Sequence, residues 1–108
     1  MAQTGPEITA IVARFRQQLA SMGIEAEQMY LFGSHASGRA REGSDIDLIV
    51  VSGGFRGMSI RERAEILGVA AARILEPIQA MGVTPEEVVP ASRSPFLSEV
   101  LARDAVAV

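Results

Sequence analysis

A chain of 108 residues makes one domain with a single modest core and leaves no length for a second. It has no cysteine, which excludes disulfides and thiolate metal sites, and no apolar run near the roughly 20 residues that span a bilayer. The formal net charge is −3 and every basic residue is arginine, so the broad basic face of a protein that grips duplex nucleic acid is missing. With no basic-then-apolar leader at the N-terminus, a cytoplasmic protein is the expectation.

Residues 6–22 place Ile8, Ile11, Val12, Phe15, Leu19 and Met22 at helical spacing, which predicts an amphipathic helix stopped by Gly23. Thr4 and Glu7 have the spacing of a capping box at its start. Met29 to Phe32 is a short apolar run, expected as a strand ending at Gly33. Ser34 to Ala40 is small and helix-tolerant, and Arg41-Glu42-Gly43-Ser44 has turn chemistry. Asp45 to Val51, rich in β-branched residues and bounded by Ser52-Gly53-Gly54, predicts a second strand.

Ser59 and Glu62 repeat the capping-box spacing and open a helix to about Leu75, with Ile66, Leu67, Val69, Ala70, Ile74 and Leu75 as its apolar stripe. Pro77 stops it. Ile78 to Val83 is the third strand candidate, and Thr84-Pro85-Glu86-Glu87 a turn. Ser94-Pro95 begins a last helix with Phe96, Leu97, Val100 and Leu101 turned inward, and Ala105 to Val108 either adds a terminal strand or frays. That order predicts an α+β fold, a small sheet covered by helices, as a single domain over residues 1–108.

Within it, Asp45 and Asp47 lie two apart on a strand and so project from one face. Two adjacent carboxylates repel unless a cation joins them or one takes up a proton. Oxygen ligands in this number suit Mg²⁺, which keeps several waters and takes one or two protein carboxylates plus substrate phosphates. Upstream, Gly33 allows close backbone approach, and Ser34 offers a hydroxyl and an N–H where an anion is favoured. Anion and cation sites on adjacent strand ends make a metal–triphosphate pocket. An isolated D-x-D is ordinarily a turn or cap feature; the joint pattern with flanking strands carries the argument.

That joint pattern, Gly33-Ser34 through Asp45-Ile46-Asp47, resembles the G-S-x10-D-x-D signature of the nucleotidyltransferase superfamily that includes DNA polymerase beta. More narrowly, GSHASGRAREGSDIDL resembles the motif of the minimal nucleotidyltransferases of bacteria and archaea, with Gly38, Ala40, Arg41, Ser44, Ile46 and Leu48 all matching. The resemblance covers nearly the whole chain, including the SPFLSEVLARDAVAV ending. It implies a small mixed sheet covered by helices, and two Mg²⁺ ions that serve transfer of a nucleoside monophosphate from an NTP, ATP for choice, to an acceptor hydroxyl. By the same resemblance Asp45 and Asp47 are catalytic and hold metal, Gly33 and Ser34 cradle the phosphates, and Arg41, with Arg39 behind it, neutralises charge. A solvated turn explains the arginines equally well. Relatives are often paired with a HEPN-domain protein, the nucleotidyltransferase acting as antitoxin; a homo-oligomer is left open.

One position departs from the pattern. Relatives supply a third carboxylate from the strand after the second helix; alignment on Thr84-Pro85-Glu86-Glu87 puts Gln79 there. Glutamine is neutral, a poorer Mg²⁺ ligand and no general base. Glu76 is the nearest substitute, although it precedes Pro77 and ends the helix. A competing expectation is therefore a catalytically impaired module that binds nucleotide or neutralises a partner. His35, after Gly-Ser, is expected as a helix-start residue or a phosphate donor. Gly53, Gly54, Gly57 and Met58 form a loop expected near the site, able to close over a nucleotide.

Overall fold

The computed structural model describes residues 5–41, 43–103 and 105–108. Helix α1 (Pro6–Ser21) starts with proline at its first position, where the missing N–H is no loss, and buries Val12, Phe15 and Leu19. Gly5 is its N-cap and makes no side-chain cap; the Thr4 half of the expected capping box lies outside the described residues. Gly23, at φ 89°, turns the chain back under the helix. Strands β1 (Gln28–Phe32) and β2 (Ile46–Val51) flank the short helix α2 (Ser34–Ser37). Helix α3 (Ile60–Arg73) carries the expected capping box, with Ser59 and Glu62 each accepting the other's backbone N–H.

Strand β3 (Ile78–Val83), helix α4 (Pro85–Val88), helix α5 (Pro95–Arg103) and strand β4 (Val106–Ala107) complete the chain. The sheet order is β3-β2-β1-β4. Strands β1 and β2 are antiparallel, as are β1 and β4, whereas β3 returns through α3 to lie parallel to β2. The fold is the mixed, helix-covered α+β sheet expected.

Side-chain alternation divides the core into two layers. Ile46, Leu48, Val50, Ile78 and Ala80, with Met29 and Leu31, pack under α1 and α3. Ile49, Val51, Met81 and Val83, with Tyr30 and Phe32, pack under Val88, Leu97, Val100 and Leu101. Asp47 and Gln79 fall on this second face. Phe15, Leu19, Met29, Leu31 and Leu48 are fully buried, each contributing on the order of 2 kcal/mol.

Several local expectations are corrected. Val69 is 44% exposed, because a residue two after the buried Leu67 cannot share its helix face. Leu75 lies beyond α3 in the left-handed region at φ 57° and is 88% exposed. Phe96 is only half turned in, meeting the Phe32 ring edge-on at 6.0 Å. The Thr84–Glu87 turn is the capped start of α4, with Thr84 accepting from the Glu87 N–H. The glycine loop after β2 sits at the far end of that strand from Asp45, so it does not cover the candidate site. Glu27 accepts the Gly53 N–H at 2.6 Å and Arg56 pairs with Glu86, which pins the loop where it is.

Candidate functional site

At the end of β1, Gly33 takes φ 72° and ψ −150°, a conformation closed to residues with a side chain. A Cβ built there would collide with Oδ2 of Asp47. The carboxyl of Asp47 therefore lies directly against the Gly33 backbone, at the point where α2 begins. The opening turn of such a helix leaves its N–H groups without intrahelical acceptors. Gly38, left-handed at φ 76°, ends α2 after one turn.

Two surface cavities meet at Gly33. One, of about 340 Å³, is lined by Gly33, Ser34, Ser37 and Arg39. The other, of about 300 Å³, is lined by Phe32, Gly33, Phe96, Glu99, Val100 and Arg103. The first is polar and cationic, the second largely apolar, and the glycine is the only residue they share.

Across the sheet, Asp47 is flanked in register by Phe32 on β1 and Gln79 on β3. Asp45 stands one residue before the strand and is exposed. Burial and then the charge of Asp45 push the Asp47 carboxyl above the usual aspartate range, while His35 pulls it partway back. A cation between the two aspartates would remove both penalties. Among the described residues, no cluster of three or more carboxylates or histidines forms that could hold a metal by itself. The donor set present, two carboxylates and room for phosphate oxygens and water, fits Mg²⁺ and not a closed protein cage.

The other residues singled out in the sequence fall in distinct places. Arg39 lines the polar cavity, whereas Arg41 is exposed in the adjoining turn and lines neither cavity. Ser44 builds that turn: its Oγ accepts the Arg41 N–H at 2.8 Å, and its own N–H donates to the Arg41 carbonyl. Nε2 of His35 lies 3.3 Å from the Ser44 carbonyl, tying α2 to the turn. Glu76 is engaged elsewhere, paired with Arg14 of α1 at 3.1 Å, so it does not replace the missing carboxylate. Gln79 remains beside Asp47 as a neutral amide.

A further cavity of about 300 Å³ lies along β3, lined in part by Ile60, Arg63, Ala80, Met81, Gly82 and Glu87. Sequence reasoning did not single out Arg63. It sits within the buried face of α3 and donates to the Met58 and Gly82 carbonyls and, at 2.6 Å, to Glu87. The T-x-x-E spacing of Thr84 and Glu87 was the available signal for its partner.

The sequence model of the nucleotidyltransferase domain matches residues 12–97. A comparison with curated protein sequences gives no significant match. Among solved structures, a candidate nucleotidyltransferase of Sulfolobus solfataricus is 21% identical with a TM-score of 0.58, over 99% of this chain and 89% of that one. A toxin–antitoxin with AMP-PNP is 20% identical with a TM-score of 0.58, over 86% of this chain and 68% of that one. A double aspartate-to-glutamate mutant of the toxin–antitoxin MntA-HpeT is 17% identical with a TM-score of 0.57, over 92% and 69%. At these identities the structures speak for the fold.

Proposed function

The chain belongs to the nucleotidyltransferase domain family, and from its site we propose that it transfers a nucleoside monophosphate from an NTP, ATP for choice, to an acceptor hydroxyl. The observation that carries this reading is the convergence at Gly33 of the Asp47 carboxyl, the opening turn of α2 and two cavities of opposite character. A nucleotide has the same division. Its phosphates match Ser34, Ser37 and Arg39; its base matches the aromatic lining supplied by Phe32 and half-exposed Phe96. Asp45 and Asp47 would hold Mg²⁺, which supplies charge neutralisation at the triphosphate. Gly33 lets the phosphate chain approach the backbone, and Arg39, with Arg41 from the turn, offsets negative charge as pyrophosphate departs.

The Gln79 amide is neutral and cannot take the acceptor proton. Gln79, opposite Asp47, favours a second reading in which nucleotide is held but not transferred, and the domain neutralises a partner by contact. Either chemistry suits an antitoxin, and the toxin–antitoxin structures of like fold support a partner protein; the partner proposed is a HEPN-domain protein. No helix among the described residues is long and apolar enough to cross a membrane.

The test is calorimetric titration of Mg²⁺–ATP into the wild type and an Asp45→Asn, Asp47→Asn double variant, followed by transfer assays on Gln79→Asp with candidate partner protein. The reading expects binding in the wild type, its loss in the double variant, and a gain of transfer from Gln79→Asp. A folded wild type that binds no Mg²⁺–nucleotide overturns it.

A further inference from the structure

Three features of β3, α3 and the link between them stay uncovered among the described residues. The first is the outer edge of β3, which ends the sheet. Pro77 and Val83 direct their carbonyls to β2, accepting from the N–H groups of Ile46 and Ser52. By alternation, Ile78, Ala80 and Gly82 direct their backbone groups outward. Two of those groups are satisfied within the chain: the Ile78 N–H donates to the Glu76 carbonyl, and the Gly82 carbonyl accepts from Arg63. Among the described residues, the set left over is the Ile78 carbonyl, both groups of Ala80 and the Gly82 N–H.

That set is complementary to itself. Antiparallel pairing of two β3 strands about a two-fold axis at Ala80 joins each Ala80 N–H to the other Ala80 carbonyl, and each Gly82 N–H to the other Ile78 carbonyl. The two bonds such a ladder would lack, Ile78 N–H to Gly82 carbonyl, are those whose groups are already satisfied.

The second feature is Gly68, in the interior of α3, where glycine is unfavourable and a Cβ would meet nothing within 4 Å. It follows Ile60 and Ala64 at four-residue spacing, and both of those line the cavity along β3. Gly68 lies about 12 Å along the helix from Ile60. Because α3 runs back against β3, this level falls three or four strand residues from Val83, near Ala80.

The third is Leu75. The Glu76 N–H donates to the Ala71 carbonyl and the Leu75 N–H to Ala72, a helix end that ordinarily places glycine at the left-handed position. Here a leucine accepts φ 57° and leaves its side chain 88% exposed.

We propose that this face is the interface of a two-fold homodimer in which the β3 strands pair, α3 approaches its counterpart at Gly68, and each Leu75 enters the other copy's cavity along β3. Leu75 lies at the Pro77 end of the strand and the cavity near its Val83 end, so the axis that pairs the strands brings projection and recess together. A contact of this kind is isologous and closes at two copies. The four edges of the two sheets reduce to the two β4 strands, which are only two residues long.

Sedimentation of the full chain at high micromolar concentration tests this, with circular dichroism as the check on folding. The wild type should sediment at twice the 11.5 kDa chain mass, and Gly68→Arg and Leu75→Gly at the single mass. Leu75→Gly relieves the strained backbone, so its monomer stays folded even where the bulkier change disturbs α3. Because the chain has no cysteine, Gly68→Cys should give a disulfide-linked dimer on mild oxidation, whereas Ser98→Cys on α5 should not. A monomeric wild type, a dimer that survives Leu75→Gly, or a Gly68→Cys variant that fails to cross-link overturns the assignment.

Discussion

Two carboxylates at opposite ends of the sheet show how one fold treats the same group in two ways. Glu87, beyond β3, is pushed up by burial, yet the Arg63 guanidinium at 2.6 Å and the Thr84 N–H at 2.7 Å hold it below the usual carboxylate range. Asp47, at the start of β2, is pushed up by burial and by Asp45, with only His35 acting against them. One carboxylate has its cation built in. The other is packed against Gly33 with no arginine partner among the described residues. The first arrangement closes the fold; the second stores a preference for a cation from outside. Substitutions at each end should therefore act on different quantities.

The largest effect is expected at the paired end. Arg63→Ala removes the guanidinium from its contacts with Met58, Gly82 and Glu87 and from the face of the Phe55 ring. Arg63 is buried, but Glu87 keeps 44% of its side chain exposed and can rehydrate, so the loss belongs at the low end for a broken buried pair, about 3 kcal/mol. Urea denaturation measures it. Mg²⁺–ATP affinity of the remaining folded protein should be unchanged, and an equal fall in affinity would mean that the two ends are coupled.

Gly33→Ala ranks second and should move both quantities. The added Cβ both strains a backbone that only glycine adopts and displaces the Asp47 carboxyl. Destabilisation of roughly 1–3 kcal/mol follows from the backbone alone. The displaced carboxyl should also weaken Mg²⁺–ATP binding, which calorimetry at a temperature where the variant is folded would detect. Unaltered binding would remove Gly33 from the proposed phosphate site.

The strands and helices were legible because hydrophobic period and caps are local properties. Ser59 with Glu62, and the β-branched run to Val51, act within a few residues of themselves. Gly33 and Asp47 were legible as a pair because the chemistry requires both types. Their contact was not, since it depends on how β1 and β2 come into register. Gln79 beside Asp47 was found only through a family pattern, and the parallel pairing of β2 with β3 supplies the physical reason for it. Arg63 and the exposure of Leu75 and Phe96 depend on what packs over each helix, which no short window of sequence contains. The glycine loop was misplaced for a simpler reason: the strand residues Leu48 to Val51, at about 3.3 Å each, separate it from Asp47, and Asp45 is farther still.

The smallest effect, and the one that isolates the unpaired end, is in the pH dependence of Asp47→Asn. A carboxyl whose folded pKa is raised above 3.8 binds its proton more tightly in the fold than in the unfolded chain. Its contribution is complete below the unfolded value and is lost as pH rises through the folded one. Asparagine keeps the shape and has no such loss. Glu62, Glu86 and Glu87 are held low in the fold and tilt stability the other way, but they do so in both proteins. The difference between wild type and variant therefore reports Asp47. In metal-free thermal melts from roughly pH 4 to 7, the melting temperature of Asp47→Asn should rise relative to the wild type as pH increases. Added Mg²⁺ with nucleotide should reverse the order, because only the aspartate gains a cation. If the two proteins keep a constant difference across that range and respond alike to Mg²⁺–nucleotide, the Asp47 end is no less structural than the Glu87 end.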